Sequence, residues 1–298
     1  QLVQSYILPQ IGKIKLRELR LDRVEAHYIG LQENGLSSRS VRFVHAVLHK
    51  SLNDAIRRGY IGYNAAQGVI LPRSELKEMA FLDADEVLQF LIAIEESPHK
   101  AFYILAIKTG MRKGELLALK WSDLNWQSGT IHVQRQVQRI KGQGLVFCPP
   151  KTRAGRRTIQ FGEKTLETLR KQFERCKLLK SAAGDNWKDH NLIFPSIVGT
   201  PLGGSSISKN FKAQLEKAGV KNIRFHDLRH TAASLMLNNG VPVIVVSKIL
   251  GHSKTSTTLD IYGHLIPVMQ ESAARIMDEI VTSIPVDFGG LLEIKTPN

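Results

Sequence analysis

The sequence is short of cysteine and contains no long apolar run. Only two of its 298 residues are cysteines, Cys148 and Cys176, and they form no CxxC motif. This usage points to no disulfide framework and favours a reducing compartment, with both thiols as small apolar packing groups. No apolar stretch approaches the roughly 18 residues that a membrane-spanning helix requires, and no signal-peptide pattern opens the chain. We therefore expect neither a membrane protein nor a secreted scaffold.

Acidic residues are also scarce relative to basic ones. Asp and Glu number 27 against 41 Lys and Arg, which leaves a net charge of +14 and a pI near 9.8. Such an excess suits a nucleic-acid backbone, although charge alone fits an ordinary basic protein equally well. Hydrophobic residues make up 43%, which supports a folded core, and the length favours two domains. The first residue is Gln1 rather than Met, so we expect a trimmed chain.

Helical spacing of apolar residues predicts a small basic domain over residues 1–72. Asp22 and Glu25 have the spacing of a capping box, which places a helix start there. A longer helix is predicted over about 38–58, where the apolar face consists of Val41, Val44, Leu48, Leu52 and Ala55. The first 74 residues hold 11 basic and 5 acidic side chains, a net charge of +6. Polar residues on the other faces of the long helix are candidate phosphate contacts: Arg39, Arg42, Asn53 and Arg57.

Pro72 marks the end of that domain, since a proline disfavours helix in the residue before it. We place a linker at 73–80, a second domain at 81–284 and a tail at 285–298. Asp83 and Glu86 predict a capping box at the first helix of the second domain. The apolar residues that follow predict its buried face: Val87, Leu88, Leu91 and Ile92.

The rest of the second domain alternates between helical and strand patterns. Helices are predicted over about 99–109, about 163–181 and most of 206–282, the last range being broken at Gly219, Gly240 and Gly251. Strands are expected in three places: 131–134, 146–147 after a glycine-rich turn, and about 157–161. The predicted fold class is mainly α, with a small helical domain followed by a mainly helical domain that carries a small antiparallel β-sheet.

Two basic motifs occupy the first half of this domain. Arg112 lies in TGMRKGEL between Gly110, which ends one helix, and Gly114-Glu115, which starts the next, so it sits on a tight connection. Alone, an arginine in a turn is most often a plain surface residue. The segment PPKTRAGRR at 149–157 is a basic, hairpin-like stretch beside the predicted sheet, and without context a solvated charge run is its better interpretation. Its basic candidates are Lys151, Arg153 and Arg156.

Two further motifs lie toward the C-terminus. In HDLRHT, helical spacing puts His226 and Arg229 on one face, while His226 and His230 have the i, i+4 spacing of a zinc pair. The glutamate of HExxH and a third ligand are missing, so we expect no metal there. In LGHSKTSTTLDIYGH, Tyr262 follows His252 by ten residues. A lone tyrosine at such a place is usually half-buried packing.

Taken jointly and in this order, six residues resemble the catalytic set of the tyrosine recombinase (phage integrase) family: Arg112, Lys151, His226, Arg229, His252 and Tyr262. The phrases TGMRKGELLALKW, HDLRHTAASLML and LGHSKTSTTLDIYGH are most similar to integrases of phages and mobile elements of Gram-positive-type bacteria. The resemblance covers nearly the whole chain, and no catalytic position departs from the family pattern. Many such integrases carry an extra arm-site-binding domain before the core-binding domain, and we expect this chain to lack it.

The resemblance implies a site-specific recombinase that cuts and rejoins DNA without metal, ATP or any other cofactor. It implies Tyr262 as the nucleophile that forms a 3′-phosphotyrosyl link, with Arg112 and Arg229 holding the nonbridging oxygens. Lys151 is implied as the donor of a proton to the leaving 5′-oxygen. His226 is implied as the base that takes the tyrosine proton.

The same resemblance implies the partners. His252 donates a hydrogen bond to the phosphate, and the basic candidates of both domains contact double-stranded DNA at attachment core sites. Four protomers must act on two duplexes, so a homotetramer on DNA is expected, with accessory bending or directionality proteins. An apolar helix at about 269–282 docks on a neighbouring protomer or, alternatively, on its own domain through Ile276, Ile280 and Val281. The expected location is the bacterial cytoplasm, at the nucleoid.

Three other functions stay open from the sequence. A type IB topoisomerase uses a similar set of Arg, Lys, His and Tyr, and relaxation of supercoils without strand exchange would favour it. A DNA-binding regulator on a decayed recombinase fold is the noncatalytic alternative, which a covalent-complex assay tests. A metal-dependent nuclease requires a carboxylate cluster that we do not find in the sequence, and its activity would not survive EDTA.

Overall fold

The computed structural model describes residues 2–73, 80–263 and 266–283. It divides into two compact units, residues 1–78 and 79–298, and each unit has a hydrophobic core of its own. Residues 74–79 of the predicted linker and the predicted tail at 285–298 lie outside the described residues. Within the described ranges, no helix combines the length and the apolar character needed to cross a membrane.

The described part of the first unit contains helices and no strand. A π-helical turn at Val3–Ile7 leads into three α-helices: α1 (Leu8–Ile11), α2 (Leu21–Glu33) and α3 (Ser38–Arg57). Ser37 caps α3, because its side chain accepts a hydrogen bond from the backbone N–H of Ser40. The predicted apolar face of α3 is buried along its whole length, which confirms the helical period: Val41, Val44, Leu48, Leu52 and Ala55.

The start of α2 differs from the prediction. The residue before the helix is Arg20, which makes no capping hydrogen bond, and α2 begins one residue before Asp22. Asp22 therefore lies in the first turn, where its charge suits the positive end of the helix dipole and faces Arg20 at 3.7 Å. The predicted capping box of Asp22 and Glu25 is wrong, because spacing alone does not decide which residue takes the extended backbone of a cap.

The second unit is mainly helical, as predicted. Asp83 accepts a hydrogen bond from the N–H of Glu86, whose side chain accepts one from the N–H of Asp83, so this second capping box is confirmed. The described helices of this unit are α4 (Ala84–Ala93), α5 (Lys100–Thr109), α6 (Lys113–Leu117), α7 (Glu163–Ala183), α8 (Gly204–Ala218), α9 (Leu228–Asn238), α10 (Val243–Leu250), α11 (Thr255–Tyr262) and α12 (Ile266–Ser283).

The buried face of α4 differs from the expected one. Val87 and Phe90 are buried, whereas Leu88 and Ile92 are 59% and 67% exposed. Residues three apart share a helix face, so Phe90 continues the stripe of Val87 and Leu88 does not. The ring of Phe90 packs edge-on against aromatic rings of α5 and α8, and this packing decides which of the two apolar faces is buried.

The strands form two small antiparallel sheets instead of the single one that was predicted. The described strands are β1 (Leu124–Asn125), β2 (Thr130–Val133), β3 (Gln136–Ile140), β4 (Gly144–Cys148) and β5 (Arg157–Gln160). One sheet has the order β1-β2-β5, with Ile131 opposite Ile159. The other is the hairpin of β3 and β4 across the glycine-rich turn. The short turn pairs β3 with β4, which leaves β2 to pair with the strand that follows the basic loop.

Candidate active site

Four candidate residues lie on segments of the second unit that pack together. Arg112 precedes α6, Arg229 is the second residue of α9, His252 lies between α10 and α11, and Tyr262 ends α11. α9 packs against α5 and α10, and α10 packs against α11. These helix contacts bring motifs that are far apart in sequence to one place.

Two glycines allow this close packing. Gly110 follows α5 with a φ of +58°, and a Cβ there would lie 2.4 Å from Cδ2 of Leu250. Gly251 follows α10 with a φ of +74°, and its Cβ would lie 2.9 Å from the carbonyl oxygen of Ala154 and 3.0 Å from Nη1 of Arg157. Each position needs both a left-handed backbone and the absence of a side chain. A larger residue would push apart the segments that carry the candidate residues.

Tyr262 is buried, with 4% of its surface exposed. Its ring belongs to a small apolar cluster formed with Ala233, Leu237, Val246 and Leu250. Burial raises the pKa of Tyr262 to about 12, although the nearby charge of Arg229 acts to lower it. The hydroxyl is therefore protonated at neutral pH, and any attack by its oxygen requires an acceptor for the proton.

The hydroxyl of Tyr262 has a histidine partner. Its Oη lies 2.7 Å from Nδ1 of His230, the residue that follows Arg229 in α9. No other hydrogen bond of this hydroxyl occurs among the described residues. Burial, followed by the charge of His226, lowers the pKa of His230, so the ring is mainly neutral at pH 7. The structure thus places His230 at the nucleophile, where the sequence had suggested His226.

Arg229 is a buried cation with a free hydrogen-bond donor. Only 5% of the residue is exposed, and its Nη1 donates to the carbonyl oxygen of Gly110 at 2.8 Å. Its Nη2 is buried and has no partner in the described part of the chain. Burial, then the charges of Arg112 and Arg157, lower the pKa of Arg229 to about 9, so it stays charged at neutral pH. A buried cation with an unused N–H is suited to an anionic ligand.

A buried carboxylate holds two further arginines. Glu115 Oε1 lies 2.8 Å from Nη1 of Arg112, and its Oε2 lies 2.9 Å from Nη2 of Arg157. Arg157 also donates through Nε to the carbonyl oxygen of Ile249 at 2.5 Å, which ties β5 to α10. Burial raises the pKa of Glu115, but the charges and hydrogen bonds of Arg157 and Arg112 outweigh it and hold that pKa below its ordinary value. The side chain of Arg112 is 40% exposed, so it is fixed at one end and open at the other.

The two other candidate histidines lie beside these arginines. His226 lies in a 3₁₀ helix, Phe225–Asp227, just before α9, so the expectation that it shares a helix face with Arg229 is wrong. The chain reaches α9 by this tighter turn, in which Asp227 accepts hydrogen bonds from Arg224. Burial and then Arg229 lower the pKa of His226.

His252 is held by a hydroxyl of the next helix. Its Nδ1 lies 2.8 Å from Oγ1 of Thr258, a buried residue of α11. Burial, followed by the charges of Arg229 and Arg112, lowers the pKa of His252 to about 4. The ring is neutral at pH 7, and its Nε2 is left for another partner. Among the described residues, no group of three or more His, Cys, Asp or Glu side chains is placed to hold a metal ion.

The three basic candidates of the loop between β4 and β5 lie apart from these contacts. Lys151 lies between β4 and β5, ahead of a 3₁₀ helix at Arg153–Gly155, so the segment is a loop between two sheets and not a hairpin. Lys151, Arg153 and Arg156 are exposed. In the described ranges none of the three side chains makes a hydrogen bond or an ion pair. The structure does not bring Lys151 into contact with the other candidates.

Three of the four polar candidates of the first unit are engaged within that unit. Arg42 donates through Nε to the carbonyl oxygen of Pro72 at 2.9 Å, and Arg57 forms an ion pair with Asp54. Asn53 accepts a hydrogen bond from the side chain of Asn64 at 2.8 Å. Arg39, which starts the exposed side of α3, has no such contact among the described residues.

Three residues of the site were not singled out from the sequence. Glu115 stands three residues after Arg112 at a helix start, a spacing that signals an ion pair. Arg157 was counted only as one charge of the basic run, and His230 was considered only as half of a zinc pair. An acidic residue within an otherwise basic motif was the readable signal for Glu115, while Arg157 and His230 required the packing of α9, α10 and α11.

The chain is similar to recombinases over most of its length. The model of the phage integrase family matches residues 80–267. An integrase of Streptomyces ambofaciens is 30% identical over 295 residues, which cover 94% of this chain and 73% of the relative. A XerC-like tyrosine recombinase of Caldanaerobacter subterraneus subsp. tengcongensis is 29% identical over 285 residues, which cover 90% and 73%.

Solved structures share the fold. The Tn1549 transposon integrase in complex with transposon right end DNA matches with a TM-score of 0.78 at 21% identity, covering 94% of this chain and 91% of that chain. A lambda integrase tetramer bound to a Holliday junction matches with a TM-score of 0.57 at 24% identity, covering 83% and 66%. At these identities the likeness establishes the fold.

Proposed function

The chain belongs to the phage integrase family and is a tyrosine recombinase of a phage or mobile element, and on that premise we propose how its residues cut DNA. Tyr262 Oη attacks the scissile phosphorus, the bond from phosphorus to the 5′-oxygen breaks, and a 3′-phosphotyrosyl link remains. The observation that carries this proposal is Arg229, a buried guanidinium with an unused N–H whose charge acts on Tyr262.

The charges around Tyr262 favour an anion in the site. The guanidinium groups of Arg112, Arg157 and Arg229 share the carboxylate of Glu115, and the nearby Asp227 is paired with a fourth arginine, Arg224. A phosphodiester brings one negative charge, and the pentacovalent transition state concentrates more charge on its nonbridging oxygens. Arg112 and Arg229 hold those oxygens, because planar and permanently charged forks can bind two oxygens at once. Donors that are already in place stabilise the transition state without reorganising.

The leaving group and the phosphate engage two further side chains. The exposed amine of Lys151 reaches the 5′-oxygen when DNA is bound and gives it a proton as the bond breaks. His252 accepts from the Thr258 hydroxyl at Nδ1 and donates from Nε2 to the phosphate. His226 lies beside Arg229 and also contacts the phosphate in this proposal.

The cycle needs no nucleotide and no metal in this proposal. The 3′-phosphotyrosyl bond retains the energy of the phosphodiester, so the 5′-hydroxyl of another strand can attack it and release Tyr262. Rejoining is the reverse of cleavage, so the group that gave a proton now accepts one and the group that accepted a proton now gives it back. Integration and excision of a mobile element are two directions of this exchange.

The substrate is double-stranded DNA at attachment core sites, bound by both units. Arg39, Arg42, Asn53 and Arg57 of α3 and Arg153 and Arg156 of the basic loop contact it. Recombination of two duplexes requires four protomers on DNA, with accessory proteins that bend the site or set the direction. In α12, Ile276, Ile280 and Val281 are exposed, and we propose that they dock on a neighbouring protomer. The reaction takes place in the bacterial cytoplasm.

A nicked suicide substrate tests the nucleophile. Cleavage releases a short 5′-hydroxyl fragment that diffuses away, so the covalent complex accumulates and migrates slowly on a denaturing gel. The native chain should give this band, and Tyr262→Phe should abolish it while DNA binding in a gel-shift assay stays within about twofold, since only one hydroxyl is lost. A covalent band that persists in Tyr262→Phe would refute Tyr262 as the nucleophile.

The same assay, run with the native chain, also distinguishes the recombinase from the three other functions that the sequence left open. A covalent band without strand exchange, together with relaxation of supercoils, would assign a type IB topoisomerase. Binding without a covalent band in the native chain would assign a regulator. Cleavage that EDTA stops would assign a metal-dependent nuclease.

A further inference from the structure

We propose that His230 is a catalytic residue: its Nδ1 holds the Tyr262 hydroxyl and takes its proton during attack on the phosphate. This inference rests on the proposed function and assigns a role that sequence reasoning gave to His226. It starts from the 2.7 Å separation between Oη of Tyr262 and Nδ1 of His230.

The position of His230 is fixed by the same helix that carries Arg229. The two residues are neighbours in the first turn of α9, so one rigid element presents a phosphate ligand and a proton acceptor together. Tyr262 comes from α11, and its ring is enclosed by apolar side chains of α9 and α10. With 4% of the tyrosine exposed, bulk water has little access to take the proton. His230 is the acceptor at hand.

Neutral imidazole suits this task. With its proton on Nε2, His230 accepts at Nδ1 from the tyrosine hydroxyl. Burial and the charges of His226, Arg229 and Arg224 lower the pKa of His230, and Asp227 acts to raise it. Two further titratable groups face the ring: Tyr262, through its hydrogen bond, and His252, whose own pKa is lowered in part by His230. The ring is therefore an available base at pH 7 and above.

The proton and the electron pairs balance in one step. As the bond from Oη to phosphorus forms, the O–H bond of Tyr262 breaks and its proton moves to Nδ1 of His230. The bond from phosphorus to the 5′-oxygen breaks, and that oxygen takes a proton from Lys151. In the rejoining step the incoming 5′-hydroxyl attacks phosphorus and gives its proton to Lys151. The bond from phosphorus to Oη breaks, and His230 returns its proton to Oη.

His226 is placed one step further from the nucleophile. Its ring centroid lies 5.8 Å from that of His230, with the planes nearly perpendicular, and in the described structure it has no hydrogen bond with Tyr262. It precedes α9 on a separate 3₁₀ turn, beside Arg229. The two histidines are thus a matched pair for experiment, because they share a neighbourhood and differ in contact with Oη.

The test compares His230→Ala with His226→Ala on the suicide substrate in single turnovers between pH 6 and 9. His230→Ala should slow cleavage by about 10²–10⁴-fold, the usual contribution of a general base, and leave DNA affinity nearly unchanged. Its rate should rise about tenfold per pH unit, because the tyrosine must ionise unaided. The native rate should be flat between pH 7 and 8, where Arg229 is below its pKa of about 9 and stays charged. Added imidazole should restore part of the His230→Ala rate and none of the His226→Ala rate.

A second variant guards against misfolding. His230→Asn keeps a polar atom near the place of Nδ1, so it should fold and bind DNA while showing the same steep pH dependence. A native rate and a flat pH profile in both His230 variants would overturn the proposal, as would imidazole rescue confined to His226→Ala. If the native chain forms no covalent band, or Tyr262→Phe retains it, the proposed function fails instead.

Discussion

Within the second unit, two arginines of the candidate site are enclosed and fixed by hydrogen bonds, whereas the candidate Lys151 is exposed. Arg229 is buried and the side chain of Arg157 is only 6% exposed, and hydrogen bonds to the backbone carbonyls of Gly110 and Ile249 fix their guanidinium groups. Lys151 lies on an exposed loop and makes no polar contact with any described residue. In the proposed mechanism, Arg229 is therefore in place to bind the phosphate before DNA arrives, whereas Lys151 takes its place only with DNA.

The chemistry of each group explains this difference. Charge stabilisation is strongest when the donors are fixed in a desolvated site, and a guanidinium stays protonated even there. A buried lysine would have its pKa lowered before the substrate arrives, because burial disfavours the charged ammonium. An arginine cannot serve as the acid, because it does not release its proton in the working pH range.

Of the substitutions that test this difference, replacement of Arg229 by lysine should have the largest effect on the rate of cleavage. Arg229→Lys keeps the charge but loses the fork that binds Gly110 and the phosphate together. We expect cleavage to fall by about 10²–10³-fold, as for loss of one donor in a preorganised site. Single-turnover cleavage of the suicide substrate measures it.

Arg157→Lys is the control for that variant. Each of the three guanidinium nitrogens of Arg157 donates a hydrogen bond within the protein, to Ile249, Gly155 and Glu115, so this side chain is held mainly by the protein itself. This variant should lose stability to denaturant while its folded fraction cleaves faster than Arg229→Lys. If Arg229→Lys and Arg157→Lys slowed cleavage equally at the same folded fraction, Arg229 would have no specific role in binding the phosphate.

Removal of the Lys151 amine should have the next largest effect. Lys151→Ala should slow cleavage of ordinary DNA by about 10²-fold or more, within the usual range for a general acid. It should hardly affect a substrate whose 5′-bridging oxygen is sulfur, because a thiolate leaves without a proton. Arg153→Ala, on the same exposed loop, should change both substrates equally through DNA binding. Equal slowing of both substrates by Lys151→Ala would show that Lys151 only binds phosphate.

The smallest of the three effects should come from Glu115. Glu115→Gln removes the charge that holds Arg112 and Arg157, and we expect a loss of about 1.5–3 kcal/mol in the free energy of unfolding at pH 7. The folded-state pKa of Glu115 is below its ordinary value, so this stability is present above that ordinary value and is lost as pH falls through the folded pKa.

Urea unfolding at pH 7 and at progressively lower pH measures the difference between native chain and Glu115→Gln. The difference should shrink as the solution becomes more acidic. Glu163→Gln removes an exposed ion pair with Arg170 and should change stability by less than about 1 kcal/mol at either pH. A difference for Glu115→Gln that does not vary with pH would contradict a paired, ionised carboxylate.

Local patterns predicted the elements well where one face of a helix is apolar. The period of Val41, Val44 and Leu48 was enough for α3, because that helix has one buried stripe. The pattern misled in α4, where apolar residues occupy two faces and contact with other aromatic rings selects Phe90 over Leu88. Pairing of β2 with β5 was also beyond the pattern, since it depends on the loop between them.

The candidate site likewise could be predicted where residue type and order were enough, and not where tertiary packing decides a contact. Residue types and order identified Arg112, Arg229 and Tyr262 as a set, and the structure packs the segments that carry them together. The contact of His230 with Tyr262 joins residues 32 positions apart and depends on how α11 approaches α9. Two histidines four residues apart look alike in sequence, and only the approach of the tyrosine distinguishes them.

The free Nη2 of Arg229 places selection for activity in conflict with selection for stability. A buried donor without a partner makes the DNA-free protein less stable than an apolar side chain of similar size at that position would. A library screened only for heat resistance should therefore enrich replacements of Arg229 that are durable and inactive. Selection for recombination therefore maintains Arg229 although it lowers the stability of the protein.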